Sequence, residues 1–129
     1  MITQAHRFHG RSSLRFVYLR GQTVRAGAIS LKYALNTRQG GYRVAVVVSR
    51  KVSKSAVVRN RIRRRMYEII RNRSKLITAP YDLVFTAYDE STATVSHQQL
   101  QQSVVGALTR AGVINRSEHA IVESKETSA

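Results

Sequence analysis

The chain has 129 residues, 22 Lys and Arg against 7 Asp and Glu, 43% hydrophobic residues and no cysteine. That length suits one domain with one modest core, and the hydrophobic content is too high for a basic disordered tail. The missing cysteines exclude disulfides, thiolate catalysis and cysteine-type zinc fingers, and fit a reducing cytosol.

The charge is polarised along the chain. The first 67 residues hold 16 of the 22 basic groups and no acid; all seven acids stand at or beyond Glu68. A pI near 11.4 with this asymmetry is the footprint of nucleic-acid binding. No run of 18 apolar residues exists to span a bilayer. Met1 to Ser13 lacks the apolar stretch of a secretory signal, so a cytoplasmic location is expected.

In chain order, Ser12-Ser13 caps a short helix over Leu14–Arg20 that stops at Gly21. Thr23-Val24-Arg25 can add a short strand. Residues 29–36 alternate apolar and polar, as a half-buried strand does. Gly40-Gly41 marks a turn. Arg43 to Ser49 is apolar on both sides, which predicts a central strand forming a hairpin with 29–36. Ser53 and Ser55 are N-cap candidates for a helix over Ala56–Asn72. Leu83 to Tyr88 is the next strand. Ser96-His97-Gln98-Gln99 opens a helix that ends at Gly112. The expected fold is α+β: a single-domain two-layer sandwich, a small mixed sheet with helices, in the order α-β-β-β-α-β-α. Residues 1–116 form the domain and 117–129 a polar C-terminal tail. An open, basic sheet face with aromatics would suit a single-stranded nucleic acid.

The helix over Ala56–Asn72 is the most informative element. Val58, Ile62, Met66, Ile69 and Ile70 form an apolar stripe. Arg59, Arg61, Arg63, Arg64, Arg65 and Arg71 crowd the remainder with one acid, Glu68. A solvated face mixes both signs. Here i,i+4 acid–base pairs are nearly absent, so an external polyanion is expected, and the guanidinium fork suits phosphate. Catalytic chemistry is missing from the pattern. His6, His9, His97 and His119 lack metal-ligand spacing, Asp89-Glu90 reads as a solvated turn, and no phosphate-cradling glycine loop follows Gly40-Gly41. No catalytic or metal-ligating residue is expected in the protein.

Two adjoining segments carry a family resemblance. Arg43-Val44-Ala45-Val46-Val47-Val48-Ser49-Arg50-Lys51 is similar to the strand R-V-G-L-x-V-S-K-K, and Ala56-Val57-Val58-Arg59-Asn60-Arg61-Ile62-Arg63-Arg64 to the helix start A-V-x-R-N-R-I-K-R. Together they resemble the bacterial ribonuclease P protein component. Leu14, Tyr18 and Gly21 match its F-x-x-x-F-x-x-G more weakly, and Tyr81-Asp82-Leu83-Val84-Phe85 looks like its D-x-V strand.

The resemblance implies a left-handed βαβ crossover, where the general rule is right-handed. It implies the RNA-binding protein subunit of a ribonucleoprotein endonuclease that removes the 5′ leader from precursor tRNA. The partners would be the ribonuclease P RNA subunit and precursor tRNA, with no membrane and no DNA. Catalysis would lie in the RNA, using Mg2+ bound mainly by RNA subunit and substrate. By position, Arg50, Lys51, Arg59, Asn60, Arg61, Arg63 and Arg64 would contact the RNA subunit. Leu14, Tyr18, Lys32, Tyr33 and Tyr67 would belong to a leader-binding cleft. Three departures stand out. Lys32 occupies a place where an aromatic is common, with Tyr33 beside it, so the third cleft contact is Lys32 on phosphate or Tyr33 through a bulge. Tyr67 stands where a further basic residue is expected, and Arg65 replaces an aliphatic. The competing classes are a ribosome-bound or chaperone RNA-binding protein and a DNA-binding module. Against the latter, few Asn, Gln or Glu accompany the arginines to discriminate bases.

Overall fold

The structure is a computed structural model and describes residues 17–35 and 41–114. Leu14, His6, His9, His119 and the 117–129 tail lie outside the described residues. Residues 17–20 are helical, and the Gly21 N–H closes the last turn on the Val17 carbonyl at 2.7 Å. A Cβ on Gly21 would stand 2.4 Å from that carbonyl oxygen and 2.9 Å from the Tyr33 oxygen. Only glycine lets the chain swing from the helix so closely onto the sheet.

Strands β1 (Gln22–Ala26) and β2 (Ile29–Leu35) form an antiparallel hairpin through Gly27, whose φ is 61°. Next come β3 (Arg43–Val48), helix α1 (Ala56–Asn72), β4 (Tyr81–Ala87) and helix α2 (His97–Arg110). Together with the helical residues 17–20, this is the expected α+β order. The sheet order is β1-β2-β4-β3, with β4 antiparallel to β2 and parallel to β3.

The expected hairpin between β2 and β3 does not form, and β3 is an edge strand rather than a central one. Strand β4 lies between them. Its Leu83, Val84 and Phe85 are all 0% exposed, so it is covered on both faces. Along β3, Val44, Val46 and Val48 are buried while Ala45 and Val47 are only half-buried, so this strand tolerates the edge. Apolar residues on both sides of Arg43–Ser49 pointed to the centre of the sheet, but it is β4 whose second face is covered.

One face of the sheet supplies Ile29, Leu31, Val44, Val46, Val48, Leu83 and Phe85 to the core. Against it pack Ile62, Met66, Ile69 and Ile70 of α1 and Leu100, Val104 and Leu108 of α2. Alternation along the strands turns Ser30, Lys32, Arg43, Ala45 and Val84 to the opposite face. There Arg43 and Asp82, directly opposite in register, make a two-pronged ion pair at 2.9 and 2.8 Å. Helix α2 starts as expected, with the Ser96 hydroxyl accepting from the Gln99 N–H at 3.1 Å. It ends at Gly112, φ 77°, where the Val113 N–H returns to the Leu108 carbonyl.

Candidate nucleic-acid interface

Helix α1 begins at Ser55, whose hydroxyl accepts from the Val58 N–H at 3.3 Å. No acid stands in its first turn, so the positive end of the helix dipole is not offset by the chain itself. The loop before it folds back on the helix. The Arg59 guanidinium donates to the Ser53 carbonyl at 2.8 Å, and the Ser55 N–H donates to the Ser53 hydroxyl at 3.2 Å. Arg50, Lys51 and Lys54 are exposed on this loop, and with Arg59 they line an open depression. Four cations beside a helix N-terminus with no acid in its first turn have the charge and donor groups that suit a phosphate.

The cationic surface continues along α1. Arg61 and Arg64 are exposed and have no acidic partner among the described residues. Arg63 donates to the Asn60 side-chain oxygen at 2.6 Å, which orients both groups on the solvent side. Glu68 is paired with Arg71, whose hydrogen bond, together with its charge, holds the carboxyl below its usual range. The structure thus brings Arg50, Lys51, Arg59, Asn60, Arg61, Arg63 and Arg64 onto one loop and one helix end. Sequence reasoning passed over Lys54, although its place five residues before Arg59, in the same basic loop as Arg50 and Lys51, could have signalled it.

Arg65 behaves differently. It is half-buried and donates to the Thr92 carbonyl at 2.9 Å and to the Val95 carbonyl, tethering the helical turn Glu90–Ala93 to α1. Its spacing from Ile62 and Ile69 puts it at the edge of the apolar stripe, facing inward.

The residues expected to form a cleft separate into two groups. Tyr18 is 46% exposed, and the Lys32 ammonium lies 5.4 Å from its ring centroid. These two meet on the sheet face opposite the long helices. Tyr33 does not join them. The β2–β4 register runs unbroken from Ile29 to Leu35, so no bulge turns it. Its hydroxyl donates to Gln22, and its ring meets Tyr81 edge-on at 6.4 Å on the core side. Tyr67 is only 7% exposed, and its hydroxyl accepts from the Val46 N–H of edge strand β3 at 3.1 Å. It closes that edge from inside the core and presents no ring for stacking.

A sequence model of the ribonuclease P family matches residues 2–112. The chain belongs to the ribonuclease P protein family. The ribonuclease P protein component of Roseiflexus sp. (strain RS-1) is 36% identical over 115 residues, 89% of this chain and 93% of the relative. That of Clostridium botulinum (strain 657 / Type Ba4) is 34% identical, covering 78% of this chain and 89% of the relative. Among solved structures, the Staphylococcus aureus RNase P protein superposes with a TM-score of 0.76 at 25% identity, over 87% of this chain and all of that one. The Thermotoga maritima RNase P protein shares the fold, with a TM-score of 0.71 at 21% identity over 81% of this chain and 96% of that one. A ribonuclease P protein is a subunit of an endoribonuclease complex. The cationic loop and α1 fall within the matched segment.

Proposed function

We propose that this ribonuclease P protein binds its RNA subunit through Arg50, Lys51, Arg59, Asn60, Arg61, Arg63 and Arg64. In this reading it also holds the precursor tRNA leader at Tyr18 and Lys32, with Leu14. The observation that supports it is the acid-free cationic end of α1, continuous with the loop at Arg50 and Lys51. Arginines there neutralise backbone phosphates of a folded RNA, while the tyrosine ring and the lysine suit one unpaired nucleotide: stacking on one, phosphate on the other. Binding the RNA and the leader together positions the substrate, converting a bimolecular encounter into an intramolecular one.

No hydrolytic step is assigned to a protein side chain. Asp89 accepts from the Ser91 N–H at 3.1 Å and Glu90 from the Ser53 hydroxyl at 3.4 Å. Among the described residues no three His, Asp or Glu side chains cluster as metal ligands. In this reading Mg2+ is held mainly by the RNA subunit and substrate, where it would activate water and stabilise the leaving oxygen. Among the described residues no helix is long and apolar enough to cross a membrane, and the reading places the complex in the cytoplasm, with no DNA partner.

The test is reconstitution. Purified protein is mixed with a bacterial ribonuclease P RNA and labelled precursor tRNA at a magnesium concentration where the RNA alone is nearly inactive. Cleavage at the mature 5′ end only when both components are present is the expected result. No rescue, with the cognate RNA also tried, would sink the reading.

A further inference from the structure

Arg65 and Glu90 close a ring behind the cationic loop. Arg65 projects from the middle of α1, and its guanidinium spans two carbonyls, those of Thr92 and Val95. Thr92 belongs to the helical turn Glu90–Ala93 and Val95 to its exit. At the start of the same turn the exposed Glu90 carboxylate accepts from the Ser53 hydroxyl at 3.4 Å. Ser53 is 8% exposed, and its carbonyl is tied back to α1 by the Arg59 guanidinium. The path from Arg65 through the turn to Glu90, Ser53 and Arg59 therefore begins and ends on one helix. It grips at Ser53 the loop that carries Arg50, Lys51 and Lys54.

The position of Glu90 runs against simple electrostatics. The depression lined by Arg50, Lys51, Lys54 and Arg59 suits a polyanion, and an acid one hydrogen bond from Ser53 opposes that binding. Nor does the turn need this carboxylate for itself. Asp89 caps it at the Ser91 N–H, and the Thr92 and Val95 N–H groups donate to the Asp89 and Ser91 carbonyls. Arg65 is equally out of place on a phosphate-binding helix, since its fork is turned onto backbone carbonyls at a fixed geometry that one ammonium cannot copy. What the two residues share is the loop they hold. A loop fixed before binding loses less conformational freedom when its partner arrives.

We propose that Arg65 and Glu90 are positioning residues for the RNA subunit. They do not contact the RNA; they fix Ser53, so that Arg50, Lys51 and Lys54 meet phosphates in a preset arrangement. This rests on the RNA-subunit reading above and deepens it.

The experiment titrates the full chain with ribonuclease P RNA over a range of salt and follows amide exchange of the free protein. Glu90→Ala removes an acid from a polyanion's docking face, so charge alone would tighten assembly. The brace predicts the opposite: assembly weaker by roughly 2- to 12-fold, the cost of ordering one long side chain on binding, and faster exchange in residues 49–55. Glu90→Gln keeps the acceptor without the charge and is expected to bind at least as tightly as wild type. Arg65→Lys and Arg65→Leu should both weaken assembly within the same range and leave the slope of log K against log salt unchanged. An arginine on phosphate would instead tolerate lysine and lose about 0.7–0.9 of that slope with leucine. The exposed position of Glu90 keeps the test valid should an Arg65 variant fail to fold. Glu90→Ala binding as tightly as wild type or more tightly, or weakening without faster exchange, overturns the brace and leaves the proposed function standing. A wild-type protein that neither binds the RNA subunit nor reconstitutes cleavage removes both.

Discussion

The six arginines of α1 do different work, and the difference decides which substitutions report on RNA. Arg65 is spent on the Thr92 and Val95 carbonyls and Arg71 on Glu68. Arg59 faces the depression but also ties down Ser53. Arg61 is exposed, without an acidic partner among the described residues. Arg61→Ala should therefore weaken RNA-subunit binding while changing unfolding free energy by less than about 0.5 kcal/mol, as exposed substitutions do. Arg59→Ala should weaken binding and also speed amide exchange in residues 49–55; parallel binding and exchange measurements separate the two. Tyr67 gives the converse case. Tyr67→Phe strips the acceptor from the buried Val46 N–H and should cost roughly 1–3 kcal/mol by chemical denaturation. Leader affinity should not change, and a loss of leader binding at unaltered stability would restore Tyr67 to the cleft.

At the scale of elements, α1 and α2 were legible because each carries its signals locally. Ser55 and Ser96 cap them, Gly112 stops the second, and the apolar spacing marks their buried sides. The hairpin β1–β2 was half-legible: its second strand alternates, but its first is short. The place of β3 was not legible. Its pairing with β4 joins segments 39 residues apart, as the Arg43–Asp82 contact shows, and no local pattern encodes such a partner. The same limit explains the cleft. The resemblance could not say whether Lys32 or Tyr33 faced Tyr18, because that depends on strand pairing, whereas the cationic loop and helix are continuous in sequence. Helix α2 also carries a local defect. Gly106 is half-buried, and a Cβ there would meet nothing within 4 Å. Gly106→Ala should raise stability by about 0.5–1 kcal/mol in thermal or denaturant unfolding, through helix propensity alone.

For the whole molecule, the decisive property is the separation of charge from hydrophobic core. The acid-free 67 residues supply the cations of loop and helix, while the seven acids stand in the remaining length. Affinity for RNA should accordingly fall steeply with salt. If roughly six phosphates are neutralised, log K should decline against log salt with a slope near −4 for single strands and more steeply for a duplex. A titration between low and moderate salt with a nearly flat response would mean that the basic surface is not the interface.

The central position of β4 has a consequence for how the protein is made. β4 is synthesised after both strands it joins, so when Val48 and the arginines of α1 have emerged, β3 still has no partner. Until then the growing chain can close only the β1–β2 hairpin, and its strongest cationic segment is displayed without a finished sheet behind it. Long-range pairing of this kind is slow to form. A chain interrupted before Tyr81 would therefore be a polycation without a core, able to adhere to any RNA nearby. Only when the last strand enters the middle of the sheet does that cationic segment gain a finished sheet behind it.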